Sequence, residues 1–225
     1  MITRSFGIDG RTRGFLLLLP AEDQLPIARI DDDRVARGET TGEDVLCLVL
    51  QGAAGDVNCA VSQDEVGRGI GAAAIEANQA STQPMQGSVV DCRMKSLEIP
   101  YCSRTELAEL IAYYRRRTNR TASDEKLMQS LTKFYEAWDR DGRVADVPVQ
   151  CLRIGDVALV GLPVEPFTAL GLEIKKGSPA GHTFVVGYAN DKIGYVPPAE
   201  QADRGGYGET PCHTRWLVHE AAERM

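Results

Sequence analysis

Hydrophobic and polar positions change their period several times along this chain. Val45, Leu46, Cys47, Leu48, Val49 and Leu50 form a continuous apolar run, the pattern of a strand buried on both faces. From Gln63 to Ala80, Val66, Ile70, Ala73, Ala74 and Ala77 recur at helical spacing, with Ser62 or Asp64 able to cap the start. Gly67, Gly69 and Gly71 each weaken that helix by about 1 kcal/mol relative to alanine, so close packing of their face on a sheet is expected. Ser88 to Ile99 alternates as a strand. Leu107, Leu110, Ile111 and Tyr114 predict a helix over 104–118, and Leu127, Leu131, Phe134, Tyr135 and Trp138 a second over 123–139. The short connection between them predicts an antiparallel helical hairpin. Strands follow at 148–153 and 157–162 around the turn Ile154-Gly155-Asp156, then a helix at 166–175, a strand at 183–188 and a Pro/Gly-rich tail.

This alternation argues an α/β fold: a mixed sheet with flanking helices and an inserted helical hairpin. Residues 45–225 are expected to carry that fold. Residues 1–44, with the charged stretch "RIDDDRVARGETTGED", keep neither period for long and read as an irregular N-terminal segment outside it.

Composition narrows the partners. The chain has 225 residues and a net charge of -7, which argues against nucleic acid, because phosphate binding needs a basic face. The dense basic cluster of Arg115, Arg116, Arg117 and Arg120 closes a helix and complements its dipole. No apolar stretch approaches the roughly 20 residues of a membrane span. The run Phe15 to Leu19 is shorter than a signal-peptide core and Asp23 follows it, so a cytoplasmic location is expected. The six scattered cysteines contain no CxxC and read as reduced thiols.

Three stretches carry candidate chemistry. In "LQGAAGDVN" a buried strand ends in a turn of bare backbone. Gly52 and Gly55 permit unusual backbone angles or the close approach of another group, and Asp56 can cap the next segment or orient a neighbour. A tight turn and a site loop both stay open there. In "GLPVEPFTALGLEIKK", Glu165 is either a first-turn carboxylate favoured by the helix dipole or a fixed carboxylate at a strand end, suited to a metal or a proton. In "HTFVVGYANDKIGYVPP", Tyr195 precedes two stiffening prolines, a place for half-buried packing. His182, His213 and His219 lack the spacing of a zinc motif, and no GxSxG singles out a serine nucleophile.

Taken together and in this order, the three stretches resemble the neutral/alkaline ceramidase family, and more closely its bacterial relatives, from about Val45 to Tyr207. The resemblance implies a zinc-dependent amide hydrolase of N-acyl-sphingosines, with zinc held by two histidines from the N-terminal half of the catalytic domain and a glutamate and a tyrosine from the C-terminal half. By motif the metal ligands fall on Glu165 and Tyr195. The family's "GDVSPN" loop over the zinc falls on Gly55 to Ala60, so that Asp56 and Asn58 become catalytic candidates and Gly52 and Gly55 the backbone of a substrate loop. The sequence departs from the family at three places: Asn58 stands for the serine, Cys59 for the following proline, and Val164 for the glycine before the glutamate. Residues 1–44 contain no histidine. The resemblance therefore implies the C-terminal part of a catalytic domain, with a partner chain supplying the histidine-bearing half, and a small N-acyl amide as substrate.

Two further readings accompany it: a non-catalytic truncated remnant, and an α/β domain that binds a small molecule or anion through turn amides. The expectations are that Glu165 and Tyr195 lie close in space, that the turn at 52–58 shares their end of the sheet with Gly52 or Gly55 in a backbone conformation poor for other residues, and that this chain by itself binds zinc weakly.

Overall fold

The computed structural model describes residues 3–8, 12–19, 45–58, 60–80, 87–202 and 206–225. Cys59 and the charged stretch before Val45 lie outside them. Strands β1 (Thr3–Ile8), β2 (Thr12–Leu19) and β3 (Val45–Gln51) form a three-stranded sheet in that order. β1 and β2 are antiparallel, and β2 runs parallel to β3 with Phe15 opposite Cys47. This corrects the reading of the first residues as irregular. The apolar run Phe15 to Leu19, too short for a signal core, has the length of a strand. The helix over Gln63–Ala80 (α1) is present where periodicity places it, with Ser62 and Glu65 bonded reciprocally at its start. Its Gly69 is exposed, and a methyl group there would meet nothing within 4 Å, so close packing does not explain that glycine.

The second sheet has four strands in the order β4-β5-β6-β8, formed by Val90–Pro100, Val144–Ile154, Val157–Gly161 and His182–Val186. β4, β5 and β6 are antiparallel, whereas β6 and β8 are parallel. β5 starts four residues earlier than the apolar pattern suggests and contains Pro148. A proline donates no ladder bond and is tolerated where one side of the strand is open. β6 pairs only with residues 150–154, so Pro148 has β4 alone beside it, opposite Ser96. The main core lies against this sheet and includes Ile99, Val147, Leu162, Val164, Val185, Val196 and Leu217.

The helices α2 (Arg104–Arg116) and α3 (Ala122–Ala137) make the expected hairpin. Both start with a full capping box, Ser103 with Glu106 and Thr121 with Asp124, which satisfies amides that a helix start otherwise leaves open. Leu107, Ile111 and Leu131 bury their inner faces in a second core with Cys102, Trp138 and Cys212. One carboxylate fastens this hairpin to the chain's last stretch. Glu106 Oε1 accepts from the Ser103 amide at 3.0 Å, and its Oε2 accepts from Arg215 Nη2 at 2.7 Å. Arg215 is only 5% exposed.

Removing that carboxylate strands a buried guanidinium and opens the cap together. Glu106→Ala should lower the unfolding free energy by about 3–5 kcal/mol. Glu106→Gln keeps one accepting oxygen, enough for the Ser103 amide or for Arg215 but not for both, and should lose about half of that or more. Urea titrations of the two variants check this, and a loss well under half in Glu106→Gln would contradict it.

Candidate functional site

The site is built on one short stretch, residues 162–167, gripped on both sides by backbone. Strand β7 (Glu165–Pro166) pairs in parallel with β9 (Tyr195–Val196), and the register sets Glu165 beside Tyr195. The Glu165 amide donates to Gly194 O at 2.9 Å and the Phe167 amide to Val196 O at 3.1 Å. The Tyr188 and Ile193 amides donate back to Val164 O and Pro163 O, at 3.1 and 2.8 Å. The residues thus lie side by side, as expected. Glu165 is not in a helix: helix α4 begins at Thr168, three positions on, and runs to Gly177.

The turn at 52–58 packs on the other side of the same stretch. The Gly55 amide donates to Pro166 O at 2.9 Å, and the Gly187 amide donates to Gln51 O at 3.0 Å. A Cβ on Gly55 would sit 2.7 Å from Glu165 O and 2.7 Å from Phe167 Cδ1. Gly55 is therefore required by close approach, not by the unusual backbone angle expected of it: its φ lies outside the left-handed region. Gly52 takes part through its carbonyl, which faces Gly187. Asp56 lies at the start of α4, where its Oδ1 accepts from the Thr168 amide at 2.7 Å and from the Thr168 hydroxyl at 2.8 Å. The carboxylate that serves this helix start is thus Asp56, from 112 positions away, and Phe167, the residue before the helix, offers no side-chain cap. Asn58 is exposed.

Glu165 is 6% exposed. Lys192 Nζ stands 3.9 Å from its Oε1, and the Tyr188 hydroxyl donates to its carboxylate. Burial first, and then that bond to Glu165, raise the Tyr188 phenol well above its usual range, so it stays a donor. Tyr188 holds this place with φ 57, a left-handed angle uncommon for a bulky residue, and Lys192 lies over its ring at 5.6 Å. Tyr195 carries an aromatic file: Phe167 and Tyr207 meet it edge to face at 6.4 and 5.8 Å, Tyr207 meets His213 at 6.2 Å, and His213 stacks on Phe134 at 3.9 Å. Burial lowers the His213 pKa, favouring the neutral ring. Two glycines admit this wall. A Cβ on Gly208 would lie 2.9 Å from Phe167, and one on Gly194 would lie 2.5 Å from Thr214 O at φ +89.

Sequence reasoning brought in Glu165, Tyr195, Gly52, Gly55 and Asp56 but not Tyr188, Lys192 or Tyr207. No spacing signal marks Lys192. Tyr188 and Tyr207 flank Tyr195 in sequence within stretches already singled out. Among the described residues no three of His, Cys, Asp and Glu cluster as a metal site. None of the described helices is long and apolar enough to cross a membrane.

Comparisons with known proteins agree with this architecture. The chain is 35% identical over 93 residues to a neutral ceramidase of Mycobacterium tuberculosis, an alignment covering 35% of this chain and 15% of that protein. Its fold matches the crystal structure of neutral ceramidase from Pseudomonas aeruginosa with a TM-score of 0.58 at 15% identity, over 92% of this chain and 42% of that one. A second solved structure, a ceramidase complexed with C2, gives 0.60 at 14% identity over 92% and 43%. No profile of a known protein family matches the chain. The chain thus has a mixed α/β fold like that of the solved ceramidases, is similar in sequence to a neutral ceramidase over part of its length, and spans less than half the length of the proteins it matches.

Three substitutions separate the contacts that shape the site. Gly194→Ala combines a left-handed angle with a backbone clash and should cost about 2–4 kcal/mol. Gly55→Ala should cost about 1–3 kcal/mol, because the Phe167 ring gives way more easily than the Glu165 carbonyl. Asp56→Ala should cost about 0.5–2 kcal/mol as a lost helix cap. Thermal unfolding of the three ranks them, and a neutral Gly55→Ala would disprove the close approach.

His213 adds a pH signature. Its folded pKa is depressed, so its contribution is intact above the unfolded value of about 6.5 and is lost as pH falls through the folded one. Between pH 7 and pH 5 the parent should lose more stability than His213→Phe, measured by urea midpoints. Parallel losses would show that the ring titrates as in water.

Proposed function

We propose that this chain forms the glutamate–tyrosine side of a zinc centre in a ceramidase-like amide hydrolase acting on an N-acyl amide of the ceramide type. The observation that carries the reading is the register of β7 on β9, which aligns Glu165 with Tyr195 next to the Gly55 turn. The sequence similarity to a neutral ceramidase supports it.

Two oxygen donors do not complete a zinc site, since catalytic zinc uses three protein ligands as a rule. The chain's own histidines do not fill the gap among the described residues. His182 begins β8, at the end of that strand away from Tyr195, and stands 4.0 Å from Asp156. The remaining ligands would come from residues outside this sequence, on the same polypeptide or a partner. Zinc bound there would supply Lewis-acid polarisation of an amide carbonyl. This chain's part is to hold the ligands. Tyr188 orients the Glu165 carboxylate, Gly55 lets the turn approach it, and Asp56 fixes the helix that follows.

One observation favours a non-catalytic reading instead: Lys192 already gives Glu165 a cationic neighbour. Titration calorimetry with zinc and an assay on a fluorogenic N-acyl-sphingosine decide. The chain alone should bind zinc more weakly than micromolar and turn over no substrate. With a histidine-bearing ceramidase segment added, metal-dependent turnover should appear and be lost in Glu165→Ala. Sub-micromolar zinc binding by the chain alone, abolished by Glu165→Ala, would overturn the divided site. Absence of turnover with every such segment would leave the non-catalytic reading.

A further inference from the structure

Away from the site, two thiols that nothing so far employs face each other. Cys102 follows the end of β4, just before the Ser103 cap of α2, and Cys212 lies in the stretch that supports Tyr195. Their sulfurs are 3.3 Å apart, although 110 positions separate them. Both are buried, Cys102 fully and Cys212 to within 5%. The backbone is arranged around the contact. The Cys212 amide donates to Cys102 Sγ at 3.0 Å, and Cys212 takes a left-handed φ of 59, which for a non-glycine residue calls for a compensating contact.

We infer that Cys102 and Cys212 are a disulfide-forming pair, a covalent fastener between the start of the helical hairpin and the segment behind the site. Closing it needs the sulfurs to approach from 3.3 Å to about 2.05 Å, a shift that side-chain rotation supplies. The electrons go to a peroxide or a low-molecular-weight disulfide. With peroxide, the Cys102 thiolate takes an oxygen atom to become a sulfenic acid, and hydroxide leaves and takes up a proton to become water. The Cys212 thiol then attacks that sulfur, the S–S bond forms, and a second water leaves. The order follows from the surroundings. The contact from Cys212, its amide included, and the nearby Arg215 favour the Cys102 thiolate, while the same neighbour and burial keep Cys212 protonated.

The bond has a structural reach. Cys212 sits in the turn whose Thr210 carbonyl accepts the Thr214 and Arg215 amides, and Thr214 O accepts the Tyr195 amide. The Thr214 hydroxyl also donates to Tyr207 O. Linking Cys212 to Cys102 would add a covalent bond to the contacts that already tie this segment to the start of the hairpin, the Cys102 amide on Trp216 O at 2.8 Å and the Arg215–Glu106 pair among them. Among the described cysteines the geometry is selective: Cys92 is exposed, and in the β4–β5 register it lies opposite Leu152, not Cys151.

The test uses the unmodified chain, treated with hydrogen peroxide or oxidised glutathione, alkylated, digested and mapped by mass spectrometry. The expected result is one reducible cross-link between the peptides holding Cys102 and Cys212. A midpoint of thermal unfolding higher by on the order of 10 °C should accompany it and vanish on reduction. Hydrogen exchange of 206–216 should slow in the oxidised form. Cys102→Ala and Cys212→Ala should each lose the link and the shift. If either variant fails to fold, the peptide map of the parent still decides. Alkylation of both thiols after exposed Cys92 has been oxidised would overturn the inference, as would sulfinic acid at Cys102 with no cross-link.

Discussion

Everything around the site depends on backbone being allowed to touch backbone along residues 162–167. This stretch is buried, so each of its amides needs a partner or must be absent. The amides of Leu162, Glu165 and Phe167 donate to the strand and loop at 186–196, and Pro163 and Pro166 have none to satisfy. On the opposite side Pro166 O takes the Gly55 amide. Such crowding leaves no room for side chains at the contact points. Gly55 meets the Glu165 carbonyl, Gly194 meets the Thr214 carbonyl, and Gly208 meets the Phe167 ring. Ala53 similarly lies over Gly171 of α4. The bare "GAAGD" turn is the sequence record of that proximity.

A carboxylate placed in such a setting is costly unless it is paired. Glu165 is satisfied from two directions, by the Tyr188 hydroxyl and at longer range by Lys192. The two are not equivalent. Tyr188 is positioned by a strained backbone angle and pushed to remain protonated, so it behaves as a fixed donor. Lys192 is 59% exposed, and a charge so well hydrated is a weak and easily displaced neighbour. The result is a buried carboxylate with its orientation set and its charge only lightly compensated.

Much of this was legible from residue order because local rules and tertiary packing agree. The helices at 63–80, 104–116 and 122–137 have apolar periodicity and capping residues that point to the same boundaries. The hairpin follows from the short polar link between α2 and α3. The strands β1 and β2 were not read from the sequence although they pair with each other: neither keeps an apolar alternation, and the second partner of β2, the parallel β3, comes after an intervening stretch. Near the site, motif resemblance singled out Glu165 and Tyr195, but position alone made Glu165 a candidate for the start of a helix. The helix begins later because Pro166 and Phe167 extend the chain, and Asp56 arrives from another element to cap it. A cap supplied across 112 positions cannot be read from neighbouring residues. Tyr188 was hidden for a related reason: its place follows from a turn after β8 that ends the strand two residues before the apolar pattern does.

The stretch from 206 to 217 explains how two cores behave as one support. Cys212 belongs to the core beneath the helical hairpin and Leu217 to the core on the four-stranded sheet, while Thr214, between them, receives the Tyr195 amide. Arg215 spans the same junction, donating to Glu106 in α2 and to the carbonyls of Glu209 and Leu217. The chain's fold aligns over 92% of its length with ceramidases at 14–15% identity, and contacts of this kind tolerate such divergence. Backbone hydrogen bonds do not depend on side-chain identity. Close approaches constrain only a few small residues, and the buried positions need volume more than a particular residue. A framework that is fixed mainly by main-chain contacts can keep Glu165 beside Tyr195 while most of the sequence around it changes.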